Sequence, residues 1–280
     1  MTDSCSCGHD HSHEHQPAGG KALAQHHGED VVCVDGVSFA YNDKPAVEGI
    51  TLHVQQGSTL GIIGPNGSGK TTLLRLMLGL LVPNSGAVRI LGLRPGEACA
   101  RGDVVGYVPQ RHNMDWTFPV SVRQVVELGL TGRRGLTGRP GREDRAKASE
   151  LLEAVGMADL AEQPIGELSG GQQQRVFVAR ALVSGPEILF MDEPMTGIDQ
   201  SGQVSLMAML DQVKAQLGLT LVIVSHNLRA IIASCDQLAC INRTLHYHDR
   251  PASLSREVLL KVFQCDFDAM LEAQPHGDHS

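Results

Sequence analysis

From position 31 onward the apolar residues fall into short runs separated by polar or glycine turns. Val31-Val32-Cys33-Val34, Val37-Ser38-Phe39-Ala40-Tyr41 and Ile50-Thr51-Leu52-His53-Val54 have strand length and β-branched content. Their spacing predicts an antiparallel β layer. Leu60-Gly61-Ile62-Ile63 is a further run, and Thr72-Leu73-Leu74-Arg75-Leu76-Met77 follows it with helical spacing. Val104-Val105-Gly106-Tyr107-Val108 reads as another buried strand. Between about 121 and 163 the period becomes helical, with Val122, Val125, Val126 and Leu128 on one face. A second helix there carries Ala146, Ala148, Leu151, Leu152 and Val155 and ends at Gly156. The span from Gly129 to Arg142 is the loop between them. Strands and helices then alternate: Ile188 to Met191, a helix from about Gly202 to Leu217, Leu219 to Val224, and a short helix around Leu228 to Ala233. That alternation predicts a mostly parallel sheet. Residues 1–29 lack apolar periodicity and are expected to be a disordered tail. The expected division is a cassette over 30–245, with a helical subdomain at about 113–165, then a C-terminal helix and His-containing tail over 246–280.

The link between the Leu60 strand and the following helix is Gly64-Pro65-Asn66-Gly67-Ser68-Gly69-Lys70-Thr71-Thr72. It fits the phosphate-binding P-loop pattern in the strand–loop–helix context the pattern requires. Glycines let successive backbone N–H groups curl around phosphate oxygens, and the helix N-terminus adds its positive end. Lys70 is expected to reach the β- and γ-phosphates, and Thr71 to offer its hydroxyl to Mg²⁺. The expected ligands are therefore a nucleoside triphosphate and Mg²⁺, on an α/β P-loop NTPase core with an N-terminal antiparallel β layer and a helical subdomain. Downstream, Glu187-Ile188-Leu189-Phe190-Met191-Asp192-Glu193-Pro194 describes a buried strand ending in two carboxylates. At the C-terminal edge of such a sheet, where ligands bind, Asp192 would join the Mg²⁺ shell and Glu193 would polarise the attacking water.

Leu168-Ser169-Gly170-Gly171-Gln172-Gln173-Gln174-Arg175 precedes a helical run. It resembles the signature motif of the nucleotide-binding subunits of ATP-binding-cassette (ABC) transporters, and the resemblance spans about residues 31–243. It implies ATP as the nucleotide and a head-to-tail homodimer, in which Ser169, Gly170, Gly171 and Gln172 of one copy cover the ATP on the other. By the same resemblance Tyr41 stacks on adenine, and Gln110 touches Mg²⁺ and senses the membrane partner. Asp199 contacts the opposite subunit, and His226 contacts the γ-phosphate. Asn227 departs from the family, which more often has an acidic residue there.

Composition narrows the partners. A net charge of −8 argues against a nucleic-acid surface. No apolar run approaches the ~18 residues of a membrane span, and the first residues do not read as a secretion signal. The seven cysteines are scattered, so a disulfide framework is not expected. The expectation is a cytoplasmic chain docked peripherally beneath integral membrane permease subunits.

Cargo is read from two stretches. Asp115-Trp116-Thr117-Phe118-Pro119-Val120-Ser121-Val122 resembles the corresponding segment of zinc and manganese importers, where it faces the membrane subunit; Trp116 and Phe118 could equally be core residues. Cys5, Cys7, His9, His11, His13 and His15 place two thiols and four imidazoles within eleven residues. Zn²⁺ favours such donors, in exchangeable fashion at this spacing. His276 and His279 form a smaller set. His246 and His248 read as surface residues of a strand, and Cys33, Cys99, Cys235, Cys240 and Cys265 as packing residues. The expected function is the ATP-hydrolysing motor of a divalent-metal importer, with a metal-binding substrate-binding protein as a further implied partner. An ABC motor for another substrate, a soluble ABC ATPase and a metal-storage protein remain the alternatives.

Overall fold

A computed structural model describes residues 30–110, 119–131 and 141–263. The chain opens with β1 (Asp30–Tyr41), β2 (Lys44–Gln55), β3 (Thr59–Ile63), α1 (Lys70–Met77), β4 (Ser85–Ile90), α2 (Pro95–Ala100) and β5 (Val105–Val108). A helical part follows, with α3 (Val122–Glu127), α4 (Arg142–Ala154) and α5 (Gly170–Leu182). The chain then alternates through β6 (Ile188–Asp192), α6 (Gln200–Leu217), β7 (Thr220–Val224), α7 (Leu228–Ser234), β8 (Gln237–Asn242) and β9 (Thr244–Asp249).

Two sheets result. One is antiparallel, ordered β2-β1-β4; the other is ordered β5-β6-β7-β3-β8-β9 and is parallel except for β9. Every residue of β3, β6 and β7 is buried. Strands covered on both faces read as unbroken apolar runs, which is why these three were legible in the sequence. Their alternate residues feed two cores. Leu60, Ile62, Ile188 and Phe190 pack with the antiparallel layer and α1, whereas Ile63, Leu189 and Met191 pack with the helical part.

The first two predicted strands are one. β1 absorbs Asp35 and Gly36 as an irregularity between Val34 and Val37, with Gly36 at φ 58° and its N–H donating to Thr51 Oγ1. That is how a polar pair can sit inside a continuous strand. Leu128 is a correction: α3 stops at Glu127, and Leu128 lies in the following 3-10 turn and is exposed, outside the core that holds Val122, Val125 and Val126. The division expected at 245/246 falls inside β9, which pairs with β8 and completes the sheet. No helix among the described residues is long and apolar enough to cross a membrane. The tail ligands Cys5, Cys7, His9, His11, His13 and His15, with Trp116, Phe118, Cys265, His276 and His279, lie outside the described residues.

Because β5, β6, β7 and β3 run parallel, their C-terminal ends share one edge. Gln110, Asp192-Glu193, Ser225-His226 and the loop after β3 all leave from that edge. Four segments distant in sequence meet there, as ligand sites of such sheets do.

Candidate nucleotide site

The loop after β3 is shaped by close approach. Gly69 caps α1 in the left-handed region at φ 96°, and a Cβ there would strike the Ala46 carbonyl oxygen. A Cβ on Gly64 would strike the carbonyl oxygen of Ile241. Glycine is therefore required at both positions, once for conformation and once for space. The Ser68 carbonyl accepts from the Arg243 N–H at 2.9 Å, which ties the loop to the β8–β9 turn. Lys70 is buried, with its Nζ donating to the carbonyls of Gly64 and Pro65, each at 2.8 Å. The ammonium is thus held across the mouth of the loop by the backbone that would bend around phosphate.

A cavity of about 640 Å³ opens over this loop. Asn66, Gly67, Ser68, Gly69, Lys70, Thr71 and Thr72 form its floor. Gln110, Glu193 and His226 stand on its wall, and Tyr41 closes one side. Tyr41 reaches it because Asn42 and Asp43, at φ 43° and 63°, make a two-residue hairpin turn of the primed type. The Tyr41 ring is 41% exposed, free to meet a planar ligand, and is braced edge-on by Phe39 with centroids 4.8 Å apart.

At the end of β6, Asp192 is buried and Glu193 takes a left-handed backbone at φ 49°. That conformation is costly for a side chain with a Cβ and concentrates at functional positions. It is held by the Glu193 N–H, which donates to the Val224 carbonyl at 2.9 Å. The Glu193 carboxylate meets His226 twice: Oε2 lies 2.7 Å from Nδ1 and accepts from the His226 N–H at 3.3 Å. The glutamate side chain is 10% exposed and the imidazole 60%. A shielded carboxylate is thereby held by an accessible histidine.

The Ser169 segment stands apart. Ser169 caps α5, accepting from the Gln172 N–H while its own N–H donates to Gln172 Oε1 at 2.8 Å. Gly170 and Gly171 form the first turn. None of these residues lines the cavity of their own chain. Asp199, which caps α6, does not line it either. The Ser201 hydroxyl and the Gly202 N–H hold its carboxyl below the usual range. Ile198, beside Asp199, is within van der Waals distance of a Cβ placed on Gly171, so these two segments form one surface.

The ABC transporter family pattern matches residues 47–196. The chain is 45% identical over 196 residues to the manganese transport system ATP-binding protein MntB of Bacillus subtilis, covering 70% of this chain and 77% of that protein. It is 43% identical over 211 residues to the zinc transport system ATP-binding protein TroB of Treponema pallidum, covering 75% and 78%. Among solved structures, cbiO1 from Clostridium perfringens, part of the ABC transporter complex cbiONQ, superposes with a TM-score of 0.73 at 28% identity. That match covers 87% of this chain and 99% of the other. The chain belongs to the ABC transporter family. It is an ABC ATP-binding subunit, an ATPase whose turnover is coupled to transport.

Within this cassette some residues at the site escaped the sequence reading. Arg243, at φ 60°, sits at the β8–β9 turn, lines the cavity and accepts from the Glu48 N–H through its carbonyl. Lys44 lines the cavity from the hairpin tip opposite Tyr41. The Asn42-Asp43 pair was the available signal for that tip; nothing in the local sequence marked Arg243, because β8 was not recognised as a strand.

Asn227 has two structural roles, a cap that an acidic residue could keep and a side-chain donor that it would lose. Its Oδ1 accepts from the Ala230 N–H and caps α7, while Nδ2 donates to Gln203 Oε1 at 2.7 Å. Gln203 in turn donates to the Ile198 carbonyl at 2.9 Å. The segment after His226 is thus tied to the one before Asp199. Replacing Asn227 by Ala is expected to remove the cap at a cost of about 1 kcal/mol. Thermal denaturation should show the midpoint lowered by about 2–4 °C for a domain of this size.

Proposed function

We propose that this chain is the motor of a divalent-metal importer, working as a head-to-tail pair of copies beneath integral membrane permease subunits on the cytoplasmic face. The observation that carries the reading is the split site: a phosphate loop and a Glu193–His226 pair on one cavity, with the capped Ser169 helix facing elsewhere on the same chain. A second copy turned by two-fold symmetry would bring Ser169 and the Gly170 and Gly171 amides over the open side of that cavity. The Asp199 surface, continuous with Gly171, would lie along the same seam.

Thr71 and Gln110 on the cavity, with buried Asp192 at the end of β6, supply the oxygen donors that suit Mg²⁺. They are the residues we assign to that ion, which when bound offsets triphosphate charge. The chain's own groups do the rest. Lys70 would neutralise β- and γ-phosphate oxygens and Tyr41 would stack on the adenine. Glu193 would accept a proton from the water that attacks the γ-phosphorus, as the bond from that phosphorus to the bridging oxygen breaks and ADP leaves. His226 orients the Glu193 carboxylate and reaches the transferred phosphoryl group. ATP favours the closed pair and its cleavage favours the open one, so the permease is driven between states by differential affinity.

The manganese and zinc systems named among the relatives supply the choice of cargo. The test is ion accumulation in cells lacking this chain. Uptake of manganese or zinc should fall and return with the intact gene but not with its Glu193→Gln form. Unchanged accumulation of both ions would assign the motor to another cargo. Recovery of the chain with ribosomes rather than with a membrane protein would overturn transport itself.

A further inference from the structure

The nucleotide site leaves one cluster of metal-ligating side chains unexplained. It lies on the face of the β1–β2 hairpin turned away from the core of that sheet, where Cys33 is buried and Asp30 and His53 are half-buried. Val32, Val34, Leu52 and Val54 face the core, so strand alternation turns Cys33, Asp35 and His53 the other way. Cys33 and His53 are directly opposed in the β1–β2 register. One ligand atom from each of Asp30, Cys33 and His53 lies within 4.8 Å of the others. His53 Nδ1 is 3.5 Å from Asp30 Oδ2, buried and without a hydrogen bond. Its Nε2 is 3.4 Å from Asp35 Oδ1. The cluster is eight residues along β1 from Tyr41, roughly 25 Å at the rise of a strand, and is therefore separate from the ATP cavity.

We propose that Asp30, Cys33 and His53 bind a borderline divalent cation such as Zn²⁺, which fastens β1 to β2 at the end of the hairpin remote from the nucleotide.

The chemistry is specific. Ligand atoms around tetrahedral zinc stand roughly 3.3–3.8 Å apart for ordinary Zn–N and Zn–S bonds. The three donors need to draw together by only about an ångström, within reach of side-chain rotation. One sulfur, one imidazole nitrogen and one carboxylate oxygen form a donor set that suits Zn²⁺ better than Mg²⁺ or Ca²⁺. Asp35 then takes the place of the outer carboxylate that holds a ligating histidine's second nitrogen. Beside the set, His248 of β9 is partly buried, with Nε2 shielded and lacking a hydrogen bond. Cys33 is buried, as expected of a packing residue, and His248 is half-buried on β9 rather than exposed.

Cobalt titration of the full-length chain carrying Cys5→Ser and Cys7→Ser tests the site, because those changes remove the thiols of the N-terminal tail. A near-ultraviolet thiolate-to-cobalt band is expected to saturate at one equivalent and to disappear on adding Zn²⁺. Cys33→Ser should abolish the band. His53→Gln, at a partly exposed position, should weaken cobalt binding at least about tenfold while nucleotide binding persists, and Asp35→Asn should do so by about 10- to 100-fold if it acts from the outer shell. No thiolate band in the tail-substituted protein, or a band unchanged by Cys33→Ser, would overturn the proposal.

Discussion

Replacing Glu193 by Gln should lower ATP turnover by about a thousandfold, the middle of the range for loss of a positioned general base, and leave ATP binding intact. The substitution keeps volume and planarity, so the left-handed backbone at Glu193 and its bond to the Val224 carbonyl are undisturbed. An amide can still accept from the His226 N–H and pair with Nδ1, since it carries both a donor and an acceptor. What it cannot do is take a proton from water. On the proposed reading the phosphate contacts of Lys70 and the loop amides would be untouched, so a pair of copies should close on ATP and remain closed. Phosphate release measures the first effect and nucleotide titration the second. Undiminished hydrolysis would place the base elsewhere. Equal loss of binding and turnover would mean that Glu193 positions the nucleotide rather than the water.

The comparison with His226→Ala sharpens this. Removing the imidazole leaves a carboxylate that is 10% exposed without its 2.7 Å partner. A shielded carboxylate left with only the backbone N–H of position 226 costs stability as well as aim. His226→Ala should therefore impair turnover together with thermal stability, whereas Glu193→Gln should spare the second.

How much of this was legible before any coordinates follows from where each signal lies. The P-loop, the Asp192-Glu193 strand end and the Ser169 cap are each encoded within about ten consecutive residues. A strand buried on both faces announces itself as an apolar run, and a capped helix by its Ser and Gln three positions apart. β4 and β8 were missed because neither has that form: Ser85–Ile90 has exposed positions through half its length, and Gln237–Asn242 begins and ends on polar residues. With β8 went the turn at Arg243 that holds Ser68. The Asp30, Cys33 and His53 cluster was equally illegible, since Cys33 and His53 are twenty positions apart and only the β1–β2 register opposes them. Local chemistry was readable; chemistry assembled by pairing was not.

Lys70→Ala gives the second large effect, and here binding itself should fail. A charged hydrogen bond contributes about 1.5–3 kcal/mol, so losing two to the phosphates should weaken ATP binding by at least about a hundredfold. Its ammonium also donates to the carbonyls of Gly64 and Pro65, so the loop loses the tie across its mouth as well as its charge. Lys70→Arg separates the two roles. It keeps a positive charge but replaces a compact ammonium with a planar fork, in a position that is only 7% exposed. If charge alone held the phosphates, Lys70→Arg would bind ATP nearly as well as the parent; if the tie to Gly64 and Pro65 is needed, it should fail almost as completely as Lys70→Ala. The geometry favours failure, because a guanidinium filling that space pushes apart the loop that two 2.8 Å bonds now draw together. An affinity for ATP within about twofold of the parent in Lys70→Ala would remove the loop from the nucleotide site, and with it the basis for reading the cavity as one.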